Sequence, residues 1–235
     1  MNELIDFFIT PYKDATTLNI ILEIIAMSFG IASVFYAKKE SVLVYPVGII
    51  STAIYVYLLS QWGLYGDLII NIYYTVMSIY GWYIWTRIQG DNDVIHITKA
   101  TKKDWLYTLG IFIFTAIFVL FVYRYYDVMP ANRSFSQTIH FVFDNLFSGN
   151  LAQIKEVTPY LDTFTTAAAF AAMWLMANKK LENWTFWIAV NMVSIPLYFI
   201  KGLGFTGIQY LIFLILAFYG YKAWKNSLDN TNQIL

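Results

Sequence analysis

Three amide side chains lie deep inside apolar stretches of this sequence, where an unpaired polar group is costly. Asn71, Asn191 and Gln209 each lie five or more residues inside such a stretch. An amide both donates and accepts hydrogen bonds, so each of the three requires a partner, either a neighbouring helix or a ligand. We favour ligand contact, first of all for Asn191.

Aromatic and hydroxyl side chains follow the same helical spacing as these amides. At 100° per residue, one helix face is formed by Asn71, Tyr74, Ser78 and Trp82, and a second by Trp184, Trp187 and Asn191. Gln209 shares a face with Phe213, and Thr166 lies in a threonine-rich segment. Two ordinary roles compete with ligand binding, since tryptophans near helix ends often mark the membrane interface and threonines often bond their own helix.

Aromatic faces beside amides suit a flat, polar ring, which can be cationic because Trp and Tyr rings attract positive charge. The hydroxyls and amides would suit a sugar. We therefore predict a substrate-binding set of Trp184, Trp187, Asn191, Asn71, Tyr74, Ser78, Thr166 and Gln209. We expect no catalytic residue, metal or cofactor, because the chain has no cysteine and the pair His140 and Asp144 lacks a third ligand.

The composition is that of an integral membrane protein. Of 235 residues, 13% are charged and 59% hydrophobic, and 15 Lys and Arg balance 15 Asp and Glu. Such a composition excludes an ordinary soluble enzyme and a nucleic-acid-binding protein. Seven stretches are long and apolar enough to cross a bilayer. They are Thr17–Ala37, Val42–Leu59, Leu68–Arg87, Trp105–Tyr125, Tyr160–Ala177, Asn183–Ile200 and Phe205–Lys222.

Lys and Arg residues are concentrated on one side of these spans. Ten lie after spans one, three and five or in the C-terminal tail, against five on the other side. The positive-inside rule then predicts an outside N-terminus and a cytoplasmic C-terminus. Residues 1–16 are predicted to be a short extracytoplasmic segment and 226–235 a cytoplasmic tail. The connector Asp127–Pro159 is expected to lie along the outer interface.

An internal repeat divides the chain. Lys38-Lys39 matches Lys179-Lys180 at an offset of 141, and Trp85 matches Trp224 at an offset of 139. The repeat predicts two three-helix bundles, 17–87 and 159–225, joined by a linker, 88–158, that carries the fourth span. Such parallel repeats occur in transporters that bind substrate near the membrane midplane.

The two bundles are expected to alternate access by rocking against each other. Pro46 and Pro196 are candidate hinges, because proline weakens a helix locally. Glu23 and Asp162 are the acidic residues closest to the interior of a span, so we favour uncoupled transport. Whether either carboxylate couples transport to protons stays open.

The sequence resembles the PnuC-type nicotinamide riboside transporters of bacteria. The resemblance is carried by Trp184-Thr-Phe-Trp187-Ile-Ala-Val-Asn191, which fits a WxxWxxxN pattern. Further matches are the segments SIYGWYIW (78–85), LDTFTT (161–166), MWLM (173–176) and KGL (201–203). The resemblance covers roughly residues 17–225 and implies an all-α fold of seven transmembrane helices in a SWEET-like 3+1+3 parallel repeat.

The resemblance also implies a function. It implies facilitated uptake of nicotinamide riboside through the bacterial inner membrane, with a cytoplasmic kinase that phosphorylates and traps the substrate. Trp184, Trp187 and Asn191 carry over as ring and amide contacts. The same side chains could serve thiamine or riboflavin, and a seven-helix sensor or a membrane-embedded lipid enzyme are more distant alternatives. Besides membrane lipid, a second copy of the chain is a partner that the sequence leaves open.

Overall fold

Helices make up nearly all of the described structure. The computed structural model describes residues 15–62, 65–89, 93–129 and 133–234, together with Phe8, Thr10 and Lys13. Most of the predicted N-terminal segment 1–16 therefore lies outside the described residues. The helices are α1 (Thr17–Lys38), α2 (Val44–Gln61), α3 (Tyr65–Thr86), α4 (Lys102–Tyr125), α5 (Phe135–Leu146), α6 (Leu151–Ala177), α7 (Asn183–Ile200) and α8 (Gly204–Ile234). Two short antiparallel strands, β1 (Ile88–Gln89) and β2 (Asp93–Val94), precede α4.

The helix bounds agree with the predicted spans at most ends, and α7 has the predicted bounds. Two ends differ. Helix α6 begins nine residues before its predicted start, because Asn150 caps it and the helix continues through Pro159. Helix α8 continues twelve residues beyond its predicted end, because Trp224 and Leu228 stay buried along that extension. The predicted connector Asp127–Pro159 is therefore shorter, and its central part forms α5.

Five helices of the described residues are long and apolar enough to cross a membrane, namely α1, α2, α4, α7 and α8. The exposed apolar side chains of α4, such as Phe114 (73% exposed) and Phe121 (66% exposed), suit contact with lipid. The protein is a multi-pass, all-α membrane protein. Helices α3 and α6 do not meet the same criterion, so the number of seven spans stays a prediction.

The helices form two similar sets. In the first half (α1–α3), α1 packs against α2 and α2 against α3, and in the second half (α6–α8) the same pairing recurs. The halves meet through α1 with α8 and through α3 with α6, while α4 and α5 pack against α6. The pairing of α1 with α8 is thus the counterpart of the pairing of α6 with α3.

A constant offset of 139 residues relates the two halves. Helices α2 and α7 both have 18 residues and start 139 positions apart. The starts of α3 and α8, and the ends of α1 and α6, differ by the same number. Glu40 and Lys179 follow α1 and α6 with φ of 56° and 50°. The predicted offset of 141 for the two lysine pairs is therefore wrong by two residues.

Four buried aromatic residues, here called the tryptophan plug, join the halves at one end of the molecule. They are Tyr45, Trp85, Trp184 and Trp224, each at most 1% exposed. The ring N–H of Trp85 donates to the carbonyl of Ala177 at 3.1 Å, and that of Trp224 donates to the carbonyl of Ala37 at 2.9 Å. Each half thus holds the end of the other half's first helix.

Two glycines allow this close packing. A Cβ added at Gly81 would overlap the Tyr45 ring, and one added at Gly220 would overlap the Trp184 ring. The two glycines are again 139 residues apart. Only glycine lets a helix backbone approach an aromatic ring so closely.

The segment that precedes α4 is fixed to the second half. Thr98 pairs with Lys180 in an isolated bridge, and the carboxylate of Glu182 accepts a hydrogen bond from the Ala100 amide at 2.8 Å. Lys180 also forms a 3.1 Å ion pair with Asp104 in the first turn of α4. Helix α4 is therefore bound to the second half at this end and along α6.

Candidate functional site

A cavity of about 780 Å³ lies between the two halves. Every described helix except α5 contributes lining residues. At one end it reaches the tryptophan plug, whose members are almost fully buried. At the other end it reaches Asp162 and Lys201, whose side chains are 16% and 29% exposed. The cavity is therefore closed at the plug and open at the end where α2 meets α3 and α7 meets α8.

All eight predicted site residues line this cavity. They come from four helices that lie far apart in the sequence, and they are Asn71, Tyr74 and Ser78 of α3, Thr166 of α6, Trp184, Trp187 and Asn191 of α7, and Gln209 of α8. The fold thus brings the predicted set together. That these residues contact a substrate stays a prediction.

Two of the amides are buried without a protein partner. Asn191 is 3% exposed and Gln209 is 7% exposed, and neither side chain has a hydrogen bond to another of the described residues. Their polar atoms are accessible from the cavity rather than enclosed by protein, so these amides are suited to a ligand that supplies hydrogen bonds. Asn71 differs, because its side chain donates to the Asp67 carbonyl of its own helix at 2.9 Å.

Aromatic rings form one wall of the cavity. The Trp187 ring meets the Tyr74 ring edge to face, with centroids 6.3 Å apart and planes at 63°. Behind them Phe170 stacks on Tyr73 at 3.6 Å, and the Tyr73 hydroxyl donates to the Phe170 carbonyl. This packing keeps the wall rigid, and a flat ring can stack on such a wall.

Trp184 lies deeper than its neighbours on α7. Its ring packs against Gly220 and Trp224 within the tryptophan plug, with centroids of the two tryptophans 5.6 Å apart. Its ring N–H has no hydrogen-bond acceptor in the described part of the chain. Trp184 therefore forms the floor of the cavity as well as part of its closed end. Trp82, which continues the α3 face in sequence, is 41% exposed and does not line the cavity.

The hydroxyl side chains divide into two groups. Thr163 and Thr165 donate to carbonyls of their own helix, at Pro159 and Asp162, as threonines in helices commonly do. Thr166 and Ser78 line the cavity at 9% and 5% exposure. The predicted role of Thr166 is therefore consistent with its position. Thr165 also lines the cavity, although its hydroxyl is bonded to its own helix.

Charged and phenolic groups cluster at the open end, where the sequence alone does not predict a cluster. Lys201 forms an ion pair with Asp162 at 2.6 Å, and Asp67 lies close enough to interact electrostatically with both. Tyr198 and Tyr210 stack beside them with centroids 4.9 Å apart. Asp67 precedes the predicted third span, and 39 residues separate Asp162 from Lys201. No local spacing could therefore have predicted the cluster.

The two candidate hinge prolines lie outside the cavity lining. Pro46 is the third residue of α2, in its first turn, where proline removes no intrahelical hydrogen bond. The physical reason for expecting a hinge at Pro46 is therefore absent. Pro196 lies inside α7, where proline removes an intrahelical hydrogen bond, so the physical reason for expecting a hinge still applies there. Its hinge role stays a prediction.

Comparisons with known proteins agree with this architecture. Residues 20–226 match the sequence model of a family described as nicotinamide mononucleotide transporter. The nicotinamide riboside transporter PnuC of Escherichia coli (strain K12) is 23% identical over 212 residues, which are 88% of this chain and 85% of that protein. PnuC of Neisseria mucosa is 21% identical over 213 residues, covering 85% of this chain and 70% of the relative.

Two further similarities differ in extent. The riboflavin/roseoflavin transporter RibM of Streptomyces davaonensis is 32% identical over 66 residues, which are 28% of this chain and 31% of RibM. A crystal structure of the vitamin B3 transporter PnuC superposes with a TM-score of 0.61 at 20% identity, covering 89% of this chain and 82% of that one.

Proposed function

Because this chain belongs to the nicotinamide mononucleotide transporter family, we propose that it carries nicotinamide riboside inward across the bacterial inner membrane. The relatives with the longest alignments described above are nicotinamide riboside transporters. The observation that supports this substrate most directly is the pair of buried, unpartnered amides of Asn191 and Gln209 beside an aromatic wall.

The chemistry of nicotinamide riboside complements these groups. Its pyridinium ring is flat and cationic, which suits the faces of Trp187 and Tyr74. Its carboxamide can donate to and accept from a side-chain amide, so Asn191 and Gln209 can pair with it. The ribose hydroxyls would then face Ser78, Thr166 and Asn71.

We further propose that transport proceeds by alternating access between the two halves in a seven-span, 3+1+3 arrangement. The reciprocal pairing of α1 with α8 and α3 with α6 supports two bodies that can rock against each other. With the predicted orientation, the open end faces the outside and the tryptophan plug faces the cytoplasm. Transport would be downhill, and phosphorylation of the substrate by a cytoplasmic kinase would keep its internal concentration low.

Riboflavin is the second candidate substrate, because a 66-residue segment is similar to RibM. That segment is 28% of the chain, against 88% for the E. coli PnuC alignment, so the nicotinamide riboside proposal takes precedence. Thiamine remains a third, since it is also a flat cationic ring with a hydroxyl. A sensor that binds but does not transport shares the same site and differs only in the uptake assay.

The test is calorimetric titration of the purified protein with each of the three vitamins. We expect tight binding of nicotinamide riboside alone, and a loss of roughly 10- to 100-fold in affinity for Asn191→Ala, because two hydrogen bonds to a buried ligand are lost. Asn178→Ala is the matched control, because the Asn178 amide donates to Trp174 of its own helix and does not line the cavity. Equal affinities of the Asn191 and Asn178 variants would remove the proposed site.

Uptake separates transport from sensing. Proteoliposomes that contain a kinase able to phosphorylate nicotinamide riboside should accumulate label with time. Saturable binding without accumulation would contradict transport and favour the sensor.

A further inference from the structure

Four charged side chains line the described part of the cavity in its outer region. They are the carboxylates of Glu23, Asp67 and Asp162 and the ammonium group of Lys201. Asp67 lies one helical turn beyond Asn71, and Lys201 lies one residue beyond the end of α7. A ligand that enters from the open end therefore passes these charges before it reaches the amides and the aromatic wall.

The single ammonium group in this set is already neutralised. Its nitrogen lies 2.6 Å from both oxygens of Asp162 and 5.3 Å from the centroid of the Tyr198 ring. Tyr123 of α4 also contacts the Asp162 carboxylate. Lys201 is thus held by groups of the second half and of α4, so Asp67 adds negative electrostatic potential to a region in which Lys201 is already neutralised.

Two candidate ligands that are otherwise alike differ in their charge. Nicotinamide mononucleotide is nicotinamide riboside with a phosphate on the sugar, and a phosphate monoester carries about −1.5 to −2 charges near pH 7. Binding such a group at a helix-lined cavity normally requires unpaired Arg or Lys side chains. The described lining residues offer Lys201 alone, bound to Asp162.

We propose that Asp67 and the Asp162–Lys201 pair are specificity-determining residues that admit the cationic nucleoside and exclude its phosphorylated form. The proposal rests on the proposed function and adds the groups that select within it. The carboxylates attract the pyridinium charge and repel the phosphate, while Asp162 keeps the Lys201 ammonium from serving as a phosphate ligand.

Charge-neutralising variants separate these two effects. Asp67→Asn removes one negative charge and leaves the ion pair intact, so we expect the preference for nucleoside over nucleotide to fall roughly tenfold. Asp162→Asn removes one negative charge and also frees Lys201, so we expect a fall of roughly 100-fold. The double variant Asp162→Asn with Lys201→Gln has the net charge of the wild type and lacks the freed ammonium group, so its preference should return close to the wild-type level.

The measurement is the competition of each compound with labelled nicotinamide riboside, with thermal unfolding as a check that each variant folds. The same preference in wild type and Asp67→Asn would overturn the inference, as would a double variant that matches Asp162→Asn. If Asp162→Asn does not fold, Asp67→Asn and Lys201→Gln carry the test, and Lys201→Gln should bind the nucleotide no better than wild type. Failure of the wild type to bind either compound would overturn the proposed function itself.

Discussion

Replacing Gly220 by alanine should destabilise the protein because of one contact in the tryptophan plug. A Cβ at this position would overlap three atoms of the Trp184 ring. That ring is 1% exposed and packs edge to face against Trp224, so the free space next to it lies on its cavity side. The second half must therefore open between α7 and α8, or the ring must leave its rotamer.

The magnitude follows from two opposing effects. Alanine stabilises a helix relative to glycine by about 1 kcal/mol, whereas overpacking a buried site costs about 1–3 kcal/mol and sometimes more. The overlap involves the ring itself rather than the end of a flexible side chain, so we expect a net loss of about 1–3 kcal/mol. For a chain of this size that corresponds to a fall in Tm of about 2 to 12 °C.

Gly110→Ala is the matched control. Gly110 lies in the middle of α4, is exposed, and has no atom within 4 Å of an added Cβ. The same chemical change should therefore raise the Tm or leave it unchanged. Both variants can be followed in detergent by tryptophan fluorescence during heating. A Gly220→Ala protein as stable as Gly110→Ala would refute the packing argument for the plug.

Two further predictions concern the same end of the molecule. Trp85→Phe and Trp224→Phe each remove a ring N–H that donates to Ala177 or Ala37, and each should lower the free energy of unfolding by about 1 kcal/mol. Because the Trp85 and Trp224 rings are 6.0 Å apart, the loss in the double variant should differ from the sum of the two single losses by at least about 0.5 kcal/mol. Additive losses in a denaturation series would argue against coupling between the two rings. Burial lowers the pKa of Lys179, so the unfolded chain binds more protons than the folded chain between that lowered pKa and the ordinary value of about 10.4. Relative to Lys179→Met, the wild type should therefore gain thermal stability as the pH rises through that window, and parallel curves of Tm against pH would contradict this assignment.

The sequence predicted the helix faces of the site better than it predicted the helix ends. The helical periodicity of the sequence predicts that Trp187, Asn191 and Gln209 face the interior, because residues spaced by about 3.6 positions lie on one face of a helix. The start of α6 was missed because Pro159, which usually marks a boundary, lies inside the helix. The end of α8 was missed because its last turns are polar in composition while Trp224 and Leu228 stay buried.

The groups that depend on tertiary packing could not be predicted from local patterns. The ion pair of Asp162 with Lys201 joins residues far apart in sequence, and the contacts of Trp85 and Trp224 cross between halves. The offset of 141 for the lysine pairs followed residue identity, whereas the turns after α1 and α6 align by backbone conformation at Glu40 and Lys179. Identical side chains in two turns need not be structurally equivalent, whereas the residues with positive φ mark equivalent positions of the backbone.

The constant offset of 139 has a consequence for ancestry. Gly48 and Trp187 are equivalent positions in α2 and α7, as are Thr52 and Asn191, and all four line the cavity. Two identical three-helix chains would place the same residue at both positions, so the cavity would hold either two indoles or none. Joining two copies in one polypeptide allows equivalent positions to diverge, so that one copy can supply Trp187 and Asn191 where the other has Gly48 and Thr52. A duplicated and fused gene can thus encode a cavity in which an asymmetric molecule has a single preferred orientation.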